Sequence, residues 1–282
     1  MNRLVEFVAD SPRLRRALSS PKLMKRIAER FVLVDSLETH SGLFEDCKKK
    51  GFGVLLYPIE AADRQYVEAI KYLAQNGIRG SVSLRTPLLG LEKVAETAAE
   101  LGVGIELDMR GPRTVDDALE TYRKIKRVHP NAIICLQANL YRTTEDLERL
   151  ADTDPLVRLV KGAFQGTYKT REAVDLNFLW LAKMLVKDTR KTYLATHDPK
   201  LIRDFLQFVE EKHVPTERFG FQMLHGVNQE LQSQLRQEGH EVWKYFAYGE
   251  DWLPYLLNRL AERKENIFFA LKALRGDGNN AT

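Results

Sequence analysis

From residue 53 onward, eight short runs rich in apolar and β-branched residues alternate with longer stretches that carry the period of an amphipathic helix. This alternation constrains the fold more than any other feature. The runs are GVLLYP (53–58), GSVSLRT (80–86), VGIELDM (103–109), AIICLQA (132–138), VRLVKGA (157–163), TYLATH (192–197), FGFQML (219–224) and EVWKYFAYG (241–249), each read as a strand. Between them lie helical patterns such as VEAIKYLAQNG, LEKVAETAAELG, TVDDALETYRKIKRV and KLIRDFLQFVEEKH, several closed by glycine or asparagine, as a helix stop should be. Strands separated by single helices form parallel βαβ units. Eight such units in ~230 residues predict an α/β fold of the (β/α)8 barrel type. A doubly wound dinucleotide fold loses its support, because no GxGxxG follows the first strand.

Residues 1–45 precede the first strand and read as a helical appendage through RLRRALSS, KLMKRIAERFVLV and GLFEDCKKKG. Residues 46–275 make the barrel, and the tail 276–282 (GDGNNAT) is expected to be disordered. Basic residues number 43 against 39 acidic ones, a formal charge of +4 scattered along the chain, so no nucleic-acid stripe is expected. Cys47 and Cys135 stand in no metal or redox spacing, which favours free thiols in a reducing compartment. The N-terminus has no apolar h-region and no run approaches a membrane span. The expectation is a cytoplasmic protein that touches a membrane, such as the inner membrane, at most peripherally.

In a barrel of this kind chemistry sits at the C-terminal ends of the strands. The polar residues there are Arg85, Asp108, Arg110, Gln137, Asn139, Arg158, Lys161, Thr196, His197, Asp198, Gln222, His225 and Tyr245, a set richer in cations, amides and rings than in carboxylates. The six histidines show neither H-x-H nor H-E-x-x-H spacing, so no metal is expected. A glycosidase needs two opposed carboxylates, and Asp108 alone stands clearly at a strand end. Lys161 could serve as a Schiff-base lysine, bind a phosphate or pair with an acid. Arg158 and Lys161, three apart, point to opposite faces of a regular strand and meet one ligand only if the chain leaves strand geometry, which Gly162 permits. Singly, most of these residues have structural readings. His197 could be a hydrogen-bonded structural residue, Asp198 an N-cap with Pro199 at the first helical position, and Gln137 and Gln222 partners for buried backbone. Jointly they suit a large polar cofactor.

The last long segment, YFAYGEDWLPYLLNRLAERKENIFFALKALRG, reads as a helix with apolar Leu253, Leu256, Leu257, Leu260 and Ala261 beside a stripe of Trp252, Tyr255, Asn258, Arg259 and Glu262. Taken in order, LQANLYRTTEDL, VRLVKGAF, LATHDPKLI, FGFQMLHGV and YGEDWLPYLLNRLAER resemble the successive strand-end motifs of the FAD-dependent proline dehydrogenases, from about residue 30 to 275. The resemblance implies FAD at the C-terminal mouth of the barrel, the last helix lying over it, and a small cyclic amino acid or amine as substrate. The implied reaction is hydride transfer from the carbon beside the ring nitrogen of L-proline to the flavin, giving pyrroline-5-carboxylate. The acceptor for the electrons would be quinone or oxygen, with no obligate protein partner. By motif, Gln137, Arg158, Val160, Lys161, Gly162, Ala163, Thr196, His197, Asp198, Gln222, Leu224 and Glu262 become flavin positions. Arg85, Asp108, Tyr245, Tyr255, Asn258 and Arg259 become substrate positions.

Four matched positions depart from the family pattern. Its two adjacent carboxylate-gripping arginines are here Asn258 and Arg259, its second-strand lysine is Arg85, and the tyrosine of its VKGAY is Phe164. The first strand reads LLYPIE in place of a pattern like LDLLGE, so Glu60 is expected to lack the arginine it would pair with. Arg85 could restore a bidentate carboxylate contact. The rival readings are the same flavoenzyme scaffold acting on a proline analogue or other secondary amine, a non-catalytic flavin-binding protein, and a flavin-free Lys161 aldolase. The presence of Asp108, Tyr245 and Arg259 argues against the non-catalytic one.

Overall fold

Parallel strands buried on both faces need hydrogen-bonded neighbours on both sides, and eight strands here obtain them by closing into a ring. The computed structural model describes residue 25 and residues 28–85, 90–109, 111–162 and 166–256. After helix α1 (Ser41–Lys49) the chain runs β1 (Gly53–Pro58), α2 (Asp63–Gln75), β2 (Gly80–Arg85), α3 (Leu91–Glu100), β3 (Gly104–Asp108), α4 (Val115–Val128) and β4 (Ile133–Gln137). It continues through α5 (Thr143–Leu150), β5 (Leu156–Val160), α6 (Arg171–Asp188), β6 (Lys191–Ala195), α7 (Pro199–Glu211), β7 (Phe219–Leu224), α8 (Gln229–Gln237) and β8 (Val242–Tyr248). Each strand pairs in parallel with the next, and β8 closes on β1 from Gly53 opposite Trp243 to Pro58 opposite Tyr248. The eight predicted strands are the eight strands of the (β/α)8 barrel.

One element differs from expectation. Val32–Leu33, read as the end of a helical stretch, is a short strand paired with Ala247 and Tyr248 of β8. The last register partner of β8 on β7 is Tyr245, so beyond that point one edge of β8 would carry unpaired backbone groups. The apolar pair Val32–Leu33 supplies them.

Helix termini follow elementary electrostatics. Helix α4 opens with Asp116 and Asp117 and closes with Lys126 and Arg127, each sign complementing the helix dipole. The buried residues of α2 include Tyr66, Ala69, Ile70 and Leu73, the i, i+3, i+4, i+7 stripe that faces the strands. Side-chain alternation divides the core in two. Along β8, Val242, Phe246 and Tyr248 join the outer layer under the helices, while Trp243, Tyr245 and Ala247 point into the barrel with Leu55, Tyr57, Ile133, Leu156 and Tyr193.

The N-terminal end of the barrel is plugged. Trp243 meets Tyr193 edge to face at 6.2 Å, and Gly53 makes room for the indole, since a Cβ on Gly53 would collide with it. The Glu241 carboxylate accepts from the Trp243 indole N–H at 2.8 Å and from Arg79 at 3.1 Å, and it pairs with Lys191. The opposite end carries polar groups in its interior. No helix among the described residues is long and apolar enough to cross a membrane.

Candidate active site

At the C-terminal mouth the strand register sets the site. Arg85 and Asp108 are direct register partners on β2 and β3, so both side chains lie on the same face of adjacent strands. Arg158 on β5 reaches across the interior, with Nη1 3.7 Å from the Asp108 carboxylate and Nε 4.0 Å from Glu106. Its guanidinium lies over the Tyr245 ring at 5.0 Å. Burial opposes the charge of Arg158, but the surrounding acidic groups, Asp108 and Glu106 among them, hold the guanidinium firmly protonated.

Two residues of this site escaped the sequence reading. Glu106 sits two positions before Asp108 and so points the same way, one layer deeper, fully buried. Gln222 donates to its Oε1 at 2.6 Å, and burial pushes the carboxyl up to about 7 against the opposing pull of Arg158. The strand period of two would have found it. Tyr57 is the second. Arg85 Nε donates to its hydroxyl at 2.6 Å, the Arg85 guanidinium lies 4.7 Å from its ring, and the ring neighbours Tyr245 at 5.5 Å and Tyr255 at 5.9 Å. Nothing in the uniformly apolar GVLLYP marks Tyr57 as an inward residue.

Tyr255 comes from the last helix, of which residues 252–256 are described. It faces the barrel as the polar stripe required, but Leu253 on the expected apolar stripe is 39% exposed. Asn258, Arg259, Glu262, Ala163, Phe164 and Arg110 lie outside the described residues. Glu60 is a correction. Expected to lack its arginine, it has other partners, accepting from the backbone N–H of Asp251 at 2.8 Å and from Gln65 Nε2 at 2.5 Å. Burial would raise its carboxyl, yet these hydrogen bonds hold it below the ordinary value. It thereby holds the start of the last helix.

The positions assigned to the cofactor fall into two groups. Gln137 is buried at the end of β4 and Gln222 two residues before the end of β7, and Gln137 Nε2 and Gln222 Oε1 have no hydrogen-bond partner among the described residues. Arg158 Nε and Nη1 are likewise buried and, beyond their longer ion pairs with Glu106 and Asp108, have no hydrogen-bond partner among the described residues. Three donors and an acceptor without hydrogen bonds toward one barrel mouth are costly unless a planar polar group meets them, so these residues fit the edge of a flavin ring. Val160 ends β5, and Gly162 turns the chain at φ +104°, where a Cβ would strike the Asn139 side chain.

The second group is tied up internally. Lys161 is buried against Asp175 at 2.5 Å and Asp198 at 3.1 Å, so it pairs with acids while Arg158 turns inward, and the two cations are not brought to one point. Asp198 also caps α7, accepting from the N–H groups of Lys200 and Leu201 with Pro199 next in line, as its sequence context suggested. Thr196 Oγ1 accepts from the Asp198 N–H at 3.2 Å. His197 Nε2 accepts from the Leu224 N–H at 3.0 Å, so His197 links the ends of β6 and β7. His225 leaves the mouth altogether. Its ring packs on Phe246 at 4.7 Å, and burial lowers its pKa to about 4.

The barrel thus carries a polar site at its C-terminal mouth that would suit a flavin, and comparison with known proteins gives its class. The proline dehydrogenase family profile matches residues 55–270. Proline dehydrogenase 1 of Bacillus subtilis (strain 168) is 32% identical over 222 residues, covering 73% of this chain and 74% of that one. The proline dehydrogenase of Deinococcus radiodurans is 30% identical, covering 89% of this chain and 91% of its own. Among solved structures, proline utilization A from Bdellovibrio bacteriovorus, inactivated by N-propargylglycine, superposes with a TM-score of 0.77 at 20% identity. That match covers 93% of this chain but 35% of that protein, and it speaks for the barrel alone. This chain belongs to the proline dehydrogenase family, a family of flavoenzymes, and is an oxidoreductase.

Proposed function

We propose that the protein oxidises L-proline to pyrroline-5-carboxylate using FAD bound at the C-terminal mouth of the barrel. One observation carries the reading. Arg85 and Asp108 stand side by side in register, Arg85 against the Tyr57 ring on which Tyr245 and Tyr255 pack, and Arg158 beside Asp108. That arrangement offers a fork for a carboxylate, an anion for an amine, and a flat apolar wall for a five-membered ring.

Gln137, Gln222 and Arg158 would hold the flavin edge, with the turn at Gly162 and, by motif, Glu262 completing the cradle. When bound, the flavin supplies the acceptor for a hydride leaving the ring carbon beside the substrate nitrogen. Arg85 and, by motif, Arg259 grip the carboxylate and fix which ring carbon is presented. Asp108 faces the amine, which gives up one proton as its bond to that carbon becomes double. Tyr245 and Tyr255 press on the ring and keep water from it. Arg158 places a fixed positive charge where electron density arrives, an arrangement set before reaction. The electrons then pass to quinone or oxygen.

The test is an anaerobic visible spectrum of the purified protein during titration with L-proline. The expected result is a flavin band that bleaches in proportion to added proline. A flavin band that proline leaves unchanged would remove proline as substrate, and a protein that takes up no FAD would remove the cofactor assignment.

A further inference from the structure

Tyr57 was assigned no role by motif, yet it touches three of the substrate-site residues, Arg85, Tyr245 and Tyr255. It is the last inward residue of β1, and its register partner is the small Ala247, which leaves its ring room to lie across the mouth. The ring meets Tyr245 at an interplanar angle of 31° and Tyr255 at 40°, joining the wall contributed by β8 to the wall contributed by the last helix. Its hydroxyl takes the Nε–H of Arg85 at 2.6 Å while the guanidinium lies against its ring at 4.7 Å. A second tyrosine holds the backbone at the same point, since the Arg85 N–H donates to the Tyr66 hydroxyl at 3.1 Å.

We propose that Tyr57 is a positioning and specificity-determining residue of the substrate pocket, orienting Arg85 so that the guanidinium presents its Nη nitrogens to a ligand carboxylate. The inference rests on the proline-oxidising reading and deepens it. A guanidinium has five N–H donors in a rigid fork, and only by committing Nε elsewhere is one edge of the fork singled out for the ligand. A lysine has a single nitrogen on a freely rotating stem and cannot be indexed in this way. The tyrosine is therefore the structural counterpart of having arginine at residue 85. It converts a longer, bulkier cation into an oriented one, and its ring simultaneously narrows the space for substituents on the substrate ring.

The test separates the acid end of the ligand from the amine end. In flavin-loaded protein, binding is read from perturbation of the flavin absorbance, without turnover. The two probes are cyclopentanecarboxylate, which has the acid and no amine, and pyrrolidine, which has the amine and no acid. Tyr57→Phe keeps the ring and removes one oxygen. It should weaken cyclopentanecarboxylate at least about tenfold, the loss expected when one hydrogen bond to a charged group is removed, and leave pyrrolidine unchanged. In an Arg85→Met background, Tyr57→Phe should have no further effect on the acid. Equal weakening of both probes would reduce Tyr57 to a wall residue, and unchanged acid binding would overturn the orienting role. If the unsubstituted protein binds neither probe, the substrate assignment falls as well, so the two failures are told apart.

Discussion

Glu106 shows what burial does to one ionisable group. The ordinary carboxyl value is about 4.5, and in the barrel interior burial raises it to about 7, Arg158 and the Gln222 hydrogen bond opposing. The folded protein thus holds this proton more tightly than the unfolded chain. The resulting stability is complete below about pH 4.5 and is lost as pH rises through about 7. Glu106→Gln should therefore match the parent protein in thermal midpoint at pH 5 and exceed it at pH 8. The gain should be on the order of 3 kcal/mol, from ~1.4 kcal/mol per pKa unit. An equal difference at both values would show that the carboxyl does not titrate in the folded state. The sequence exposed Asp108 because it ends its strand, and hid Glu106 because its neighbours Ile105 and Leu107 make the strand look wholly apolar. Tyr57 was hidden for the same reason, since in GVLLYP no polar residue marks which face is inward. Asn258, Arg259 and Glu262 were legible only through motif.

At the scale of elements, Asp198 joins a helix cap to an ion pair, and the two contributions can be separated. Asn at this position keeps an oxygen for the Lys200 and Leu201 N–H groups but gives Lys161 a neutral neighbour, with Asp175 still in place. Asp198→Asn should change urea stability little, whereas Asp198→Ala should cost about 1–2 kcal/mol, the usual loss of an N-cap. Equal costs would assign the stability to the ion pair with Lys161 instead. The strands were legible because doubly buried parallel strands form unbroken apolar runs, and the helices because their apolar stripe recurs at 3.6 residues. Val32–Leu33 was not legible. Its identity as a strand comes from an edge of β8 that β7 leaves unpaired, a fact of tertiary register with no local trace. Glu60 illustrates the same limit, because its partners are Gln65 and a backbone group at the start of the last helix, and the motif named only an arginine.

For the whole molecule, the ends of the barrel divide the labour. Trp243, Tyr193 and the Glu241 ion cluster close the N-terminal end, and the polar groups proposed to act on substrate occupy the other. Gly53 is required because the indole occupies the space a side chain would need. Gly53→Ala should overpack this end and lower stability by about 1–3 kcal/mol, measured by urea denaturation of flavin-loaded protein, while the Michaelis constant for proline stays unchanged. A raised Michaelis constant would show that the two ends are not independent. The plugged end also has a kinetic meaning. With that end shut, the imine must leave on the side where the amine came in, and until it has gone the next amine waits outside. Competition between product and substrate is then built into the architecture, whatever the fine chemistry at the rim.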